Sequence, residues 1–215
     1  MATLPKTQKY FYTVEEYLEI DRESGQRFEY VDGEIHQMAG ESGAHGDISM
    51  NLAIAMGPQL KARKCRVRSK DTKIQSGSVS KSGQLMKGMF SYPDIVVICG
   101  EPEYHDKVKD IVLNPKVIIE VLSGSTESFD RNEKFVRYRM FNPTLTDYIL
   151  ISQTEPIVEH FIRQDNGTWN LRTFVGLEKE FMIDSIECQL KLADIYDLIE
   201  FPDDVLESLK ENIYF

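Results

Sequence analysis

The stretch of sequence that decides the fold has two parts, Ser91-Tyr-Pro-Asp-Ile-Val-Val-Ile98 and Val117-Ile-Ile-Glu-Val-Leu-Ser123. Both contain short, nearly continuous runs of Val, Ile and Leu, which are typical of parallel strands buried on both faces of a sheet. Each part also carries an acid: Asp94 stands at the entrance of the first strand, and Glu120 lies inside the second. Because burying a lone carboxylate is costly, both acids need a partner.

Asp94 and Glu120 repel each other if the fold brings them together. Two like charges about 4 Å apart interact by roughly 4 kcal/mol at an effective dielectric constant of about 20, so clustered carboxylates need a proton, a basic partner or a cation. Mg²⁺ prefers oxygen ligands and retains bound water. A divalent metal is therefore one solution for the pair, whereas either acid taken singly is more simply interpreted as a turn cap or a surface ion pair.

The flanking sequence predicts further helices and strands. A helix over 127–141 separates the second run from another buried strand, Tyr148-Ile-Leu-Ile151, which makes a strand, helix, strand crossover unit. Upstream, Thr13-Val-Glu-Glu16 is a capping box that opens a short helix, and Asp32-Gly33 joins the two strands of a hairpin. The other predicted elements are a helix over 43–63 that bends or divides at Gly57-Pro58, a mobile loop over 76–90, a hairpin over 156–175, and acidic helices over 194–200 and 203–212.

Several of these motifs together resemble the signature of the PD-(D/E)XK nuclease superfamily, and more narrowly the Uma-type restriction endonuclease family. They are Arg27-Phe-Glu-Tyr-Val-Asp-Gly33, the helix with His45, Pro93-Asp-Ile-Val-Val97 and Glu120-Val-Leu-Ser123. The resemblance extends over residues 8 to 200, and Asp94 and Glu120 are 26 positions apart. It implies an α/β fold with a restriction-endonuclease-like three-layer core, in which helices flank a mixed central β-sheet.

The resemblance also implies a set of site residues. The superfamily's metal-holding and catalytic acids fall on Glu29, Asp94 and Glu120, and the implied cofactor is Mg²⁺, for which Mn²⁺ is expected to substitute. Where the superfamily pattern places a catalytic lysine, this chain has Leu122. In relatives the lysine can come from the following helix, which here offers Lys134.

Three further residues are predicted to assist this site. Asp130 and Tyr138 lie four positions before and after Lys134, on the same helix face. An exposed ion pair with Asp130 is the alternative explanation for Lys134. His45, near a helix start, is predicted to orient substrate or a metal-bound water, with an ordinary helix-start histidine as the alternative.

The charge distribution leaves room for a nucleic-acid partner although the net charge is −10. Residues 176–215 carry 11 acids and 3 bases, so most of the acidity belongs to the C-terminal region. A basic strip of seven cations within thirteen residues is a candidate DNA-contacting surface; its members are Lys61, Arg63, Lys64, Arg66, Arg68, Lys70 and Lys73. The alternative is a helix C-terminus that complements its dipole, followed by a solvated strand face.

Composition limits the remaining choices. With 215 residues and 41% hydrophobic residues, the chain is expected to form one nuclease-like domain over 1–215, with an acidic helical segment at about 194–215. Cys65, Cys99 and Cys188 form no CxxC pair and are expected to be reduced, buried thiols. No apolar leader or run of roughly 18 apolar residues is present, so we expect a cytoplasmic protein without membrane contact.

These observations lead to two functional hypotheses. The first is a Mg²⁺-dependent endonuclease that hydrolyses DNA phosphodiester bonds without an organic cofactor, with a homodimer as its candidate assembly. The second is a catalytically inactive nuclease fold that serves as a DNA-binding or protein-interaction module. The sequence contains no Gly-rich phosphate loop or nucleophile elbow, so kinase, hydride-transfer and serine-hydrolase functions lack support.

Overall fold

The structure, a computed structural model, describes residues 11–38, 40–79 and 85–211. Its helices are α1 (Val14–Glu23), α2 (Gly43–Lys61), α3 (Glu127–Phe129), α4 (Phe135–Phe141), α5 (Leu192–Ile195) and α6 (Asp203–Glu211). Its strands are β1 (Phe28–Val31), β2 (Glu34–Gln37), β3 (Cys65–Ser69), β4 (Lys73–Val79), β5 (Leu85–Ser91), β6 (Ile95–Cys99), β7 (Ile111–Val112), β8 (Val117–Val121), β9 (Asp147–Ile151), β10 (Ile157–Arg163), β11 (Trp169–Val175), β12 (Glu180–Ile183) and β13 (Cys188–Lys191). A π-helical turn, Asp130–Lys134, joins α3 to α4.

The central layer is a six-stranded sheet with the order β11-β10-β9-β8-β6-β3. Strands β8 and β9 are parallel, and the helical segment 127–141 connects them, which confirms the predicted crossover unit. Strand β6 runs antiparallel to β8, so the prediction that both initial runs are parallel strands was wrong for this pair. A run that is apolar on both faces reports burial but carries no information about strand direction.

The antiparallel pairing of β6 with β8 brings two of the predicted acids together. Ile95 lies opposite Ile119 in this register. Asp94, one position before β6, therefore lies beside Glu120, near the end of β8. In a parallel pair, the start of one strand and the end of the other would lie at opposite edges of the sheet.

Side chains of β8 alternate between two hydrophobic cores. Ile119 and Val121 belong to the core that includes α2, whereas Ile118 and Leu122 belong to the core that includes α4. Because successive strand residues point to opposite faces, Glu120 shares the α4 side of the sheet. Helices on both sides of a mixed sheet form the predicted three-layer α/β arrangement, which is confirmed.

A second sheet with the order β2-β1-β5-β4-β7 packs on the α4 side. Its β1–β2 hairpin and the preceding capping-box helix agree with the sequence prediction. The predicted mobile loop over 76–90 was wrong for the described residues, because β4 and β5 pair there as antiparallel strands. The many Ser and Gly residues made this segment look too polar for strands, yet Ser76, Met89 and Phe90 are buried. Residues 80–84 lie outside the described part of the chain.

Two helix predictions also need correction. Helix α2 continues through Pro58 without a break, beside the exposed side chain of Ile54. The predicted helix over 194–200 is the four-residue α5, and Leu198 beyond it has a left-handed backbone conformation, with φ of 65°. The last predicted helix appears as α6, and Asn212 lies outside the described residues.

The cysteine prediction was wrong for two of the three residues. Cys65 of β3 and Cys99 of β6 face each other directly in the antiparallel register and form a disulfide. Spacing in the sequence gave no sign of this pair, because the two cysteines are 34 positions apart. Cys188 is free and buried, as expected. Within the described ranges, no helix is both long and apolar enough to span a membrane.

Candidate active site

The centre of the candidate site is the ammonium group of Lys134. Its Nζ lies 3.2 Å from Glu29 Oε1, 3.3 Å from Glu120 Oε1 and 3.0 Å from Asp130 Oδ1. The side chains are 6% exposed for Lys134, 13% for Glu29, 4% for Glu120 and 3% for Asp130. We call these four residues the Lys134 cluster. The alternative of an exposed surface ion pair does not hold for Lys134, because the residue and its partners are buried.

Three separate parts of the fold supply the Lys134 cluster. Glu29 comes from β1 of the second sheet, and Glu120 comes from β8 of the central sheet. Asp130 and Lys134 are the first and last residues of the π-helical turn. Such turns are rare and often occur at functional sites. The cluster therefore lies where both sheets meet the helical segment 127–141.

The cluster contains more acid than one lysine can neutralise. Burial raises the pKa of Glu120 well above its ordinary value; Lys134 opposes this rise, while Asp130, Asp94 and Glu29 increase it. Burial alone would lower the pKa of Lys134, but Glu120, Glu29 and Asp130 raise it well above its ordinary value. Lys134 is therefore charged at neutral pH, and a further cation would favour the ionised form of Glu120.

One oxygen in the cluster has an incomplete set of contacts. Asp130 Oδ1 is within ion-pair distance of Lys134 Nζ, but it accepts no hydrogen bond from any described residue. The backbone carbonyl of Asp130, by contrast, accepts a hydrogen bond from the Tyr148 hydroxyl at 2.8 Å. The main chain at Asp130 is therefore fixed, while its carboxylate keeps acceptor capacity inside a buried site.

Asp94 lies beside the Lys134 cluster and is held at both oxygens. Its Oδ2 accepts a hydrogen bond from the backbone N–H of Val121 at 2.8 Å. Its Oδ1 is 2.6 Å from His45 Nε2. The predicted accessory His45 thus contacts a predicted metal ligand directly, and its backbone N–H also donates to the N-cap residue of α2, Ser42.

Tyrosine groups support the two glutamates. The Tyr138 hydroxyl is 3.2 Å from Glu120 Oε1, to which it donates, and 2.8 Å from Ser91 Oγ. Burial is the main cause of a raised pKa at Tyr138, so its hydroxyl keeps the proton it donates. The backbone N–H of Tyr92 donates to Glu29 Oε1 at 3.1 Å. Tyr138 and Tyr92 therefore each donate a hydrogen bond to one of the two glutamates, and the accessory role of Tyr138 stays a prediction.

A cavity of about 640 Å³ opens onto these residues. Its walls include Asp94 and the four members of the Lys134 cluster. Arg27 and Lys70 line the same cavity, as does the polar segment 123–126 at the start of α3. The cavity thus combines a buried acidic floor with cationic side chains, an arrangement that suits a phosphate-bearing substrate bound with a metal ion.

The basic strip does not form one continuous binding surface. Lys73 is buried between Asp21 and Asp110, at 2.5 and 2.8 Å, so its predicted DNA contact was wrong. Lys70 lines the cavity and pairs with Glu41. Other members make local contacts or are exposed: Arg63 pairs with Glu187, Arg66 contacts Gly100 and Glu101, Arg68 bonds Tyr104, and Lys61 and Lys64 are exposed.

Sequence reasoning missed Arg27 and Gln153 as site residues. Arg27 has a signal, because its two-residue spacing from Glu29 puts both on one face of an extended strand. Gln153 comes shortly after β9, whose parallel neighbour β8 carries Glu120. Residues that follow adjacent parallel strands collect at one edge of the sheet, so this rule could have located Gln153.

The chemistry of the site fits a hard divalent cation, although the side chains are not arranged around one. Mg²⁺ prefers oxygen ligands, which the carboxylates offer, and its positive charge would offset their excess negative charge. Among residues 11–38, 40–79 and 85–211, no group of three or more His, Cys, Asp or Glu residues is placed to hold a metal. Glu29 and Glu120 instead converge on Lys134.

Known proteins resemble this chain in sequence and in fold. Residues 14–193 match the Uma2 family, described as "Putative restriction endonuclease". Two uncharacterized proteins of Synechocystis sp., sll1609 and slr1290, are 32% and 33% identical over 168 and 165 residues. These alignments cover 78% and 77% of this chain, and 90% and 81% of the relatives.

A solved structure from Anabaena variabilis, described as "a putative nuclease belonging to DUF820", has the same fold. It superposes with a TM-score of 0.67 at 17% identity, over 88% of this chain and 99% of the other. At this level of identity the match shows the fold alone.

Proposed function

The chain belongs to the Uma2 family of restriction-endonuclease-like proteins, and on this premise we propose that it is a metal-dependent endonuclease that hydrolyses DNA phosphodiester bonds. The observation that carries the proposal is the convergence of Glu29, Glu120 and Asp130 on Lys134 beside Asp94, at the floor of an open cavity. Buried acids in excess of bases, with strongly shifted pKa values, are typical of catalytic sites.

Asp94, Glu120 and Glu29 would hold the divalent cation, with Mg²⁺ as the natural ion and Mn²⁺ as its substitute. A bound ion would supply Lewis-acid polarisation of the phosphate and a water of lowered pKa. The protein's own contribution is a set of oriented oxygens: Val121 and His45 fix Asp94, Tyr138 fixes Glu120, and Tyr92 fixes Glu29. Oriented ligands lower the cost of ordering the site when it is filled.

Lys134 takes the role that the superfamily pattern gives to a lysine at the position of Leu122. Leu122 is buried in the core with Tyr138 and Tyr148, so it cannot act in the cavity. Because the pKa of Lys134 is raised, the residue is an ammonium that can stabilise negative charge on the phosphate, and it is a poor general base at neutral pH. Asp130 would position Lys134 from within the same π-helical turn.

Arg27 and Lys70 extend the proposal to substrate binding. Both line the cavity above the acidic floor, where a DNA backbone would reach them. Phosphate contacts of this kind supply affinity that depends on salt. A homodimer with two such sites could cut both strands, and sedimentation of the protein with and without duplex DNA would test that part of the proposal.

A second candidate function, a catalytically inactive module, is favoured by one observation. Lys134 already contacts Glu29 and Glu120, and Leu122 stands where the superfamily has its lysine. Such a module would bind DNA or a protein in the same way with and without divalent cations. Metal-independent binding without any cleavage would support this alternative.

The direct test is cleavage of supercoiled plasmid and genomic DNA with Mg²⁺ or Mn²⁺, and with EDTA. We expect wild-type protein to nick or linearise DNA only with metal, and Asp94→Asn to abolish cleavage. The matched control is Asp47→Asn, because Asp47 is exposed on α2. Equal cleavage by wild type and the Asp94 variant would contradict the assignment.

A further inference from the structure

Gln153 occupies the cavity wall between the two elements that hold Asp94. Its Nε2 lies 2.6 Å from the carbonyl oxygen of Leu122 and 3.4 Å from His45 Nδ1. Its Oε1 lies 2.6 Å from the hydroxyl of Ser42. A single amide therefore contacts the end of β8, the N-cap of α2 and a ring nitrogen of His45.

The orientation of this amide follows from its partners. The Leu122 carbonyl can only accept, so the group of Gln153 that lies 2.6 Å from it must be the N–H-bearing nitrogen. A flipped amide would place two acceptors at this distance. In the observed orientation the Ser42 hydroxyl donates to Gln153 Oε1, so both ends of the amide are satisfied.

The same orientation and the Asp94 carboxylate both favour one position for the proton on the His45 ring. The amide nitrogen has two hydrogens, one directed to Leu122 and the other available to His45 Nδ1. When Nδ1 of a neutral ring accepts this hydrogen, the ring proton is on Nε2. Nε2 lies 2.6 Å from Asp94 Oδ1 and donates to it.

We propose that Gln153 is a positioning residue that fixes His45 as the Nε2–H tautomer and thereby orients the Asp94 carboxylate. With the Val121 N–H on Oδ2 and the His45 N–H on Oδ1, both oxygens of Asp94 carry fixed donors. The proposal rests on the proposed function, in which Asp94 is a metal ligand. Partners that hold a ligand's orientation typically change metal affinity about 10- to 100-fold.

A purely structural role for Gln153 makes a different prediction. If the amide served only to tie Leu122 to the segment after β9, its loss would lower stability and leave the ring proton of His45 in place. The tautomer is therefore the discriminating property, and it can be read without metal or substrate.

The experiment is ¹⁵N NMR of the histidine rings in metal-free protein at about pH 8, above the ordinary histidine pKa. In wild type we expect His45 Nε2 to carry the proton and Nδ1 to have the shift of an unprotonated nitrogen. In Gln153→Leu, which has similar volume and no donor, we expect a larger share of the Nδ1–H tautomer than in wild type, because only Asp94 still favours the proton on Nε2. Gln189→Leu is the control, because Gln189 is exposed on β13.

Calorimetric titration with Mn²⁺ completes the test. We expect Gln153→Leu to bind Mn²⁺ about tenfold more weakly than wild type and Gln189→Leu to bind as wild type does. A proton on Nδ1 in wild type, or an unchanged tautomer in Gln153→Leu, would overturn the inference. If wild type binds no Mn²⁺, the proposed function fails, and the NMR result still decides the role of Gln153.

Discussion

Two lysines of the described residues, Lys73 and Lys134, are buried among acids, and the two clusters differ in charge balance. Lys73 lies between Asp21 and Asp110, and Arg22 also binds Asp110 through two hydrogen bonds. Burial alone would raise the pKa of Asp110, yet hydrogen bonds from Arg22 and Lys73 lower it to about 2. In the Lys134 cluster, the pKa of Glu120 is raised instead.

This difference separates a structural cluster from a candidate catalytic one. The oxygens of Asp21 are fully used, because they accept from the Phe28 N–H at 2.8 Å, the Tyr92 hydroxyl at 2.7 Å and Lys73. The Lys134 cluster lines a cavity and keeps an oxygen of Asp130 without a hydrogen bond. Matching charges stabilise the Lys73 cluster, whereas the Lys134 cluster keeps acceptor capacity for a ligand.

The largest expected effects come from removing each lysine in turn. Lys73→Met should lower the free energy of unfolding by about 3–5 kcal/mol, because a buried acid loses its cation. Lys134→Met should lower it less, since Glu120 can bind a proton, but should reduce DNA cleavage about 100- to 1,000-fold. Urea denaturation and cleavage assays, with exposed Lys107→Met as the control, check both. Equal stability losses in the two variants would remove the distinction between the clusters.

The next effect is on the pH dependence of stability. A carboxyl whose folded pKa is raised, such as Glu120, contributes stability below its unfolded pKa and loses it as pH rises through the folded pKa. Glu120→Gln should therefore be more stable than wild type at neutral pH, with the difference shrinking in acid. Urea denaturation from pH 4 to 8 measures it. If Glu120→Gln is less stable than wild type at neutral pH, the Lys134 cluster does not carry an excess of negative charge.

Urea denaturation continued from pH 4 down to about pH 2 tests the Lys73 cluster. Asp110 has its folded pKa lowered from 3.8 to about 2, so its contribution is present above pH 3.8 and is lost as pH falls toward 2. In Asp110→Asn, the part of the acid-induced loss of stability that comes from Asp110 should be absent. If the variant loses as much stability as wild type over this pH range, Arg22 and Lys73 do not stabilise the charge of Asp110.

The smallest expected effect concerns the cations of the cavity. Arg27→Gln should weaken DNA binding and reduce the salt-dependence slope by about 1, because one phosphate contact is lost. Arg66→Gln is the matched control from the basic strip, because Arg66 lies on the edge strand β3 and donates to the backbone carbonyl of Gly100. Fluorescence anisotropy across a salt series measures both slopes. A larger change for Arg66 would place the DNA along the strip instead of the cavity.

Much of the fold was predictable from local signals. The capping box of α1, the Asp32-Gly33 hairpin and the β8 to β9 crossover depend on neighbouring residues, and the structure contains all three. The direction of β6, the strands β4 and β5 and the Cys65–Cys99 pair depend on long-range register. A run that is apolar on both faces, or rich in Ser and Gly, does not encode that register.

Only those residues of the candidate site that belong to the family pattern were predictable from the sequence. Glu29, Asp94, Glu120 and Lys134 follow from the resemblance, and the structure brings these four together. Gln153 matches no motif, and its importance arises from contacts with positions 31 and 108 residues away in the chain. Lys73 shows the opposite error: a basic run in the sequence looked like a surface, yet one member is a buried structural cation.

The central claim, that Asp94 and its neighbours form a divalent-metal site, is tested most directly by calorimetric titration with Mn²⁺. Wild type and Asp47→Ala should bind near one ion per chain, and Asp94→Ala should bind at least about tenfold more weakly. This result would establish the metal site before any DNA substrate is known. Equal, negligible heat in all three proteins would contradict the account and favour the inactive module.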